Sequence, residues 1–241
     1  LDMVSGLSSS SASLEAREAE PESSPSREGA PSFAASVSSP TDYASVAYQR
    51  YTGEVCPNGV RHGRGTLKFE YPFFEYTGDW EQGLMHGQGR LTLGGTGYYE
   101  GTFVAGEMTG DGVRIYEDGT RYSGQWVSGE KNGLGTQVTP DGIVFEGVFV
   151  DNRREGDGEL KFPNGDVFLG KFVRDQQTGP GVLTCANGDS YDGDWVRGKQ
   201  HGNGTAVWSN GDSYVGQWEQ GKRHGEGHFI DGVSGISYKG T

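Results

Sequence analysis

The chain has few of the residues that build an ordinary compact core. Only 32% of its 241 residues are hydrophobic, and no run of 18 apolar residues exists, so a transmembrane helix is excluded. Cysteine is almost absent: Cys56 and Cys185 lie far apart, and no Cys-x-x-Cys is present. We therefore predict no disulfide framework and expect a reducing, cytoplasmic setting.

Basic residues are also scarce. The chain has 20 Lys and Arg against 33 Asp and Glu, which gives a net charge of −13 at pH 7. Residues 1–47 hold seven acids and two bases, so that −8 remains for residues 48–241. Nucleic acids and anionic lipids both attract basic surfaces, and the acidic balance argues against either as a partner.

Glycine, by contrast, is abundant, with 43 residues that follow a period of 23. An aromatic residue opens each copy, glycine follows two residues later, and Trp or Phe follows after two more. A fixed period of this length is the signature of a repeat architecture. The opening aromatics are Tyr76, Tyr99, Tyr122, Phe145, Phe168, Tyr191 and Tyr214. The repeat glycines are Gly78, Gly101, Gly124, Gly147, Gly170, Gly193 and Gly216.

Each copy predicts a β-hairpin. The segment from Tyr76 to Glu81 alternates apolar with polar residues, which is typical of a strand, and a turn glycine, Gly83, follows it. A second alternating segment runs from Gly87 to Leu93. Later copies continue with Asp-Gly or Asn-Gly, which favours a hairpin connection to the next copy. The expected fold class is all-β: an elongated single-sheet meander of stacked hairpins.

A lone hairpin cannot bury two aromatic rings, so the copies are expected to support one another. A glycine leaves room on the sheet because it has no Cβ. We therefore expect a ring on one repeat to lie over the glycine of the neighbouring repeat.

The chain divides into four predicted segments. Residues 1–42 form a Ser/Glu/Pro-rich tail that is expected to be disordered. Residues 43–75 form an N-terminal capping partial repeat, residues 76–236 form seven regular repeats, and residues 237–241 begin a truncated one. The chain starts at Leu1 and stops within the first residues of this truncated repeat. We therefore expect a fragment of a longer protein.

The pattern Tyr-x-Gly-x-Trp/Phe, turn glycine, His-Gly-x-Gly and Asp/Asn-Gly, at 23 residues, resembles the MORN repeat (membrane occupation and recognition nexus). The resemblance covers about residues 51–241. It implies an elongated sheet of stacked hairpins and partners in the cytoskeleton, the cilium or membrane junctions. Arg114 and Gln137 replace a leucine of the pattern, and Asp175 stands at the turn glycine; these departures concern local packing.

No catalytic, metal or cofactor site is predicted. Four histidines, His62, His86, His201 and His224, precede the Gly-x-Gly, but equivalent positions lie about 9–10 Å apart, too far to share one zinc. Each Gly-x-Gly lies within an alternating β pattern and opens no phosphate-binding βαβ unit. The histidines are interpreted as structural or surface residues.

We predict a non-catalytic scaffold whose aromatic groove binds an extended or helical segment of a partner protein. The predicted groove residues are Tyr76, Trp80, Tyr99, Phe103, Tyr122, Trp126, Trp195, Tyr214 and Trp218. In the alternative interpretation these rings stack on one another and on glycine. Two other functions stay open: a targeting array of a larger enzyme of the phosphatidylinositol-phosphate kinase or lysine methyltransferase type, and direct phosphoinositide or peripheral membrane binding. The oligomeric state is not indicated.

Overall fold

The computed structural model describes residues 49–69 and 74–240, and these residues form 17 strands and no helix. The predicted tail, residues 1–42, lies outside the described part. Helices able to span a membrane are accordingly absent from the residues described. Contacts divide the described chain into an N-terminal unit, residues 49–140 and 149–152 without 70–73, and a C-terminal unit, residues 141–148 and 153–240.

Within each unit, strands that are neighbours in the sequence pair antiparallel. The predicted all-β arrangement of stacked hairpins is therefore confirmed. The first eight strands are β1 Gln49–Val55, β2 Arg61–Phe69, β3 Phe74–Glu81, β4 Leu84–Leu93, β5 Gly97–Val104, β6 Glu107–Ile115, β7 Arg121–Val127 and β8 Glu130–Val138. The others are β9 Val144–Val150, β10 Arg153–Lys161, β11 Val167–Val173, β12 Gln176–Thr184, β13 Ser190–Val196, β14 Lys199–Val207, β15 Ser213–Glu219, β16 Lys222–Ile230 and β17 Ser237–Gly240.

A two-residue turn closes each hairpin from β3–β4 to β15–β16, whereas a longer loop, Cys56 to Val60, joins β1 to β2. Gln82 and Gly83 join β3 to β4 with φ angles of 49° and 85°, the left-handed conformations that a type I′ turn requires. At the equivalent of Gly83, Asp175 adopts a φ of 71°. Its carboxylate accepts the backbone N–H of Arg154 at 2.9 Å, so a hydrogen bond to the preceding hairpin accompanies the loss of glycine.

A three-residue loop connects β6 to β7, and its two hydrogen bonds recur in the loops before β11, β13 and β15. The Tyr116 N–H donates to the Thr120 carbonyl at 2.8 Å, and the Gly119 N–H donates to the Tyr116 carbonyl at 3.0 Å. Gly119 has a φ of 91°. This is a type I turn followed by a glycine bulge. The Asp-Gly and Asn-Gly pairs thus form the longer connection between hairpins, while the turn glycine forms the tight one.

A β-bulge lies in the middle of seven hairpins, among them that of β3 and β4. Gly78 pairs with Gly89 and Asp79 pairs with His86, which leaves Gly87 and Gln88 extra on one strand. The carboxylate of Asp79 accepts the Gln88 N–H at 2.9 Å, so the bulge does not leave this donor without a partner. The same role is filled by the side-chain oxygens of Glu54, Gln125, Asp194 and Gln217.

In the C-terminal unit a ladder of aspartates joins successive loops. Asp189 is buried and accepts the Ser209 N–H at 2.8 Å, 20 residues further along the chain. Its own N–H donates to the side chain of Asn187 at 3.0 Å. Asp166 and Asp212 repeat the contact to the following loop. The loops therefore lock each repeat to the next at the end of the sheet opposite the tight turns.

Candidate interaction surface

The nine residues predicted to line an aromatic groove are all buried. Their exposed fractions lie between 0% and 6%. The expectation that these rings face solvent is therefore wrong, and they form the core of the single sheet instead. The alternative interpretation, in which the rings stack on one another and on glycine, describes the structure.

The rings form a continuous series of edge-to-face contacts within each unit. Tyr99 contacts Phe103 on its own strand, with ring centroids 5.2 Å apart, and Trp126 on the next hairpin, at 5.3 Å. Both pairs are nearly perpendicular, which is a favoured geometry for aromatic rings. The Trp126 indole N–H also donates to the Gly112 carbonyl at 3.3 Å. Trp or Phe is thus the residue that reaches back to the preceding repeat.

The repeat glycines form pairs across neighbouring strands, and an aromatic ring covers each pair. A Cβ on Gly89 would collide with the ring and hydroxyl of Tyr76, which lies over Gly78 and Gly89 together. The opening ring therefore covers the glycines of its own hairpin. The ring that reaches a neighbour's glycine is the following Trp: the Trp195 ring lies 3.2 Å from a Cβ built on Gly181 of the preceding repeat. The pairs are Gly78–Gly89, Gly101–Gly112, Gly124–Gly135, Gly147–Gly158, Gly170–Gly181, Gly193–Gly204 and Gly216–Gly227.

The buried tyrosine hydroxyls form hydrogen bonds to the backbone. The Tyr122 hydroxyl donates to the Gln125 carbonyl at 3.0 Å, within the same strand. Burial raises the pKa of Tyr122 to about 12. Burial also raises the pKa of Tyr76, Tyr99 and Tyr191 above the usual tyrosine value. A proton this tightly held does not transfer at neutral pH.

A polar pair replaces apolar residues on the ring face of the third regular repeat. The Lys131 ammonium donates to the Gln137 side-chain oxygen at 2.6 Å and lies 5.0 Å from the Phe149 ring centroid. Met85 and Met108 occupy the position of Lys131 in the two preceding repeats, and both are buried. Gln137 therefore differs from the repeat pattern together with Lys131, and the two side chains contact each other.

The face opposite the rings carries exposed valines. Val104, Val127 and Val150, here called the valine row, are 50%, 55% and 43% exposed. Each follows the Trp or Phe of its repeat, so strand alternation directs it away from the rings. The cross-strand partners of Val104 and Val127 are Glu107 and Glu130, both exposed. Our sequence reasoning passed over this row, although valine recurs after Trp or Phe every 23 residues from Val104 to Val196.

A shallow polar groove of about 480 Å³ lies on the same face of the N-terminal unit. Arg64 and Arg90 line it, and they form ion pairs with Asp79 at 3.2 Å and Glu100 at 3.5 Å. These acids offset the positive charge that an anion would need. In residues 49–69 and 74–240, no cluster of three or more His, Cys, Asp or Glu is placed to hold a metal.

Comparison with models of known protein families gives a match over much of the chain. Eight segments, together more than half of the chain, match the family model described as the MORN repeat. The matched residues are 58–70, 76–94, 99–121, 122–144, 145–167, 168–190, 191–213 and 214–232.

The chain is also similar to a solved structure, the SAS-4 (dCPAP) TCP domain in complex with a proline rich motif of Ana2 (dSTIL) of Drosophila melanogaster. The identity is 14% and the TM-score 0.43, over 71% of this chain and 90% of that one.

Proposed function

The chain belongs to the MORN-repeat family, and from that premise we propose that it is a non-catalytic scaffold that binds a partner protein. Repeat sheets of this kind offer extended surfaces on which a partner can contact several repeats at once. The proposal places the partner in a cytoplasmic assembly of the cytoskeleton, the cilium or a membrane junction, the settings that the family resemblance implies.

The valine row is the observation that supports the proposal. The solvated face of an antiparallel sheet is expected to be polar, yet three consecutive repeats expose a branched apolar side chain at the same position. Covering such a side chain releases about 25 cal/mol for each Å² of apolar surface removed from water. The high β-propensity of valine is a second explanation for its presence in an exposed strand. The two explanations predict different results, because a row that serves only strand formation contacts no partner.

Site-specific photo-crosslinking in cells tests the proposal. p-Benzoylphenylalanine is placed at Val104 or Val127 of the 241-residue chain, and at Val207, an equally β-branched and exposed control in β14. We expect the same crosslinked protein from both positions of the valine row and not from Val207. The proposal fails if neither position captures a protein, or if the Val207 control captures the same one.

A further inference from the structure

The valine row has a regular spacing that is fixed at the tight turns. Equivalent residues of successive hairpins are two strands apart, which corresponds to about 9.6 Å. Backbone hydrogen bonds from the tight turns hold this register: the Gly129 N–H donates to the Met108 carbonyl at 2.9 Å, and the Asn152 N–H donates to the Lys131 carbonyl at 3.0 Å. A bound segment thus meets an apolar side chain at each interval.

Acidic residues accompany the row. Glu107 pairs across the hairpin with Val104, and Glu130 pairs with Val127, so that valine and glutamate alternate along this face. Within residues 49–69 and 74–240, no ion pair engages either glutamate. The intervening turn residues Ala105 and Ser128 carry no charge. Arg153 takes the equivalent position beside Val150, so the acidic stretch ends there, and the charge complement of the surface between Val104 and Val150 is a basic segment.

The spacing distinguishes between the conformations that such a segment could adopt. A polyproline II segment repeats every three residues, or about 9.3 Å. An α-helix presents the same face every seven residues, or about 10.5 Å. Over the two intervals of the row, the mismatch is about 0.6 Å for the extended segment and about 1.8 Å for the helix. The extended form fits the row more closely.

From this spacing and charge we infer that the valine row binds an extended, basic segment of the partner, with apolar side chains at every third residue. The inference rests on the proposed function and specifies the chemistry of its partner. The apolar side chains contact Val104, Val127 and Val150, while lysine or arginine side chains between them reach Glu107 and Glu130. The apolar contacts supply affinity, and the charges supply orientation and association rate.

Peptide titration with the 241-residue chain tests the inference. The first peptide, labelled with fluorescein, has four Leu-Pro-Lys units. One control has the same composition with the leucines out of the three-residue period, and another replaces every lysine with glutamate. A helical peptide carries leucine at every seventh position among lysines. Fluorescence anisotropy measures affinity at several salt concentrations.

We expect the first peptide to bind at least about tenfold more tightly than each of the other three, a difference of the size that hot-spot contacts produce. The Val104→Ser/Val127→Ser double variant should weaken its binding by about tenfold. The Glu107→Gln/Glu130→Gln variant should weaken binding and flatten its salt dependence. A Val207→Ser/Ile230→Ser variant, altered at exposed residues of the C-terminal unit, should bind as the unaltered chain does.

Equal binding of the scrambled peptide, tighter binding of the helical peptide, or an unchanged salt dependence in the glutamine variant would each overturn the inference. If crosslinking captures a protein at Val104 and Val127 while the peptide series shows no preference, the partner chemistry is wrong and the scaffold function stands. If crosslinking captures nothing, the scaffold function itself fails.

Discussion

The indole N–H of Trp195 donates to the carbonyl oxygen of Gly181 at 3.0 Å, and this bond joins one hairpin to the hairpin before it. Trp195 also packs edge-on against Phe168 of that preceding hairpin, with ring centroids 5.1 Å apart. Contacts of this kind, rather than the two strands of a single hairpin, supply the stability of a repeat array.

Two substitutions of Trp195 distinguish the contribution of its ring to stability from that of its hydrogen bond. Trp195→Phe removes the indole N–H but keeps a ring of the type found at Phe103 and Phe149, and should lower the free energy of unfolding by about 1–2 kcal/mol. Trp195→Ala removes the buried ring as well and should cost about 3–5 kcal/mol. Urea unfolding followed by circular dichroism measures both. Equal costs for the two variants would show that the ring contacts contribute nothing.

The glycine beneath each aromatic ring should not tolerate a side chain. Gly89→Ala places a methyl group against Tyr76 and should destabilise the N-terminal unit by about 1–3 kcal/mol or more, because the ring and backbone must move apart. Gly95→Ala is the matched control, since no atom lies within 4 Å of its added Cβ and its φ is not positive. The melting temperatures of the two variants test this prediction, and Gly89→Ala should have the lower one. Similar melting temperatures for both variants would contradict the packing of Tyr76 on Gly89.

The polar pair on the ring face should be replaceable by the apolar pair of the first regular repeat, Met85 and Leu91. In the Lys131→Met/Gln137→Leu variant the apolar pair should match or exceed the stability of the present pair by about 1 kcal/mol, because a partly buried charge is exchanged for packing. Lys131→Met alone should be the less stable variant, since Gln137 then loses the donor 2.6 Å away. Thermal unfolding of the single and double variants measures the coupling, which would be absent if the two residues acted independently.

Alkaline pH should unfold the chain. In the folded state burial raises the pKa of Tyr122 to about 12, while the unfolded side chain ionises near 10.0. The stabilising contribution is complete below pH 10 and is lost as the pH rises toward 12, because the unfolded chain releases the proton first.

Tyrosinate absorbance and the strand signal in circular dichroism, followed over this range, check the alkaline prediction. The two signals should change together, and Tyr122→Phe should make the loss of stability less steep. Ionisation of all tyrosines near pH 10 with the strand signal intact would contradict it.

The strands, their pairing and the tight turns could be predicted from the sequence because their signals are local. The alternation from Tyr76 to Glu81 and the glycine at Gly83 specify a strand and a turn without knowledge of any other repeat. The repeat period then stacks the hairpins. The remaining features are contacts between residues of different repeats. The local sequence around one residue does not identify its partner in another repeat, so these contacts were not predicted.

The position of the rings shows where sequence reasoning failed. The 23-residue period placed Trp126 on the same face as Tyr122, but it did not show that the rings of two successive hairpins would cover one another. The contact from Asp189 to Ser209 was missed for a similar reason, since its partners are 20 residues apart. The 23-residue recurrence of the valines is visible in the sequence. It did not indicate a binding surface, because strand propensity alone could account for each valine.

The central claim is that the two faces of the sheet have separate roles, with the ring face stabilising the fold and the valine row binding the partner. Its most direct test is photo-crosslinking at Val127, compared between the chain with Val104→Ser and the chain with the control substitution Val207→Ser, with melting temperatures recorded for both. We predict unchanged melting temperatures, reduced capture for Val104→Ser, and full capture for Val207→Ser. Full capture in both chains, or loss of capture only where the chain unfolds, would contradict the claim.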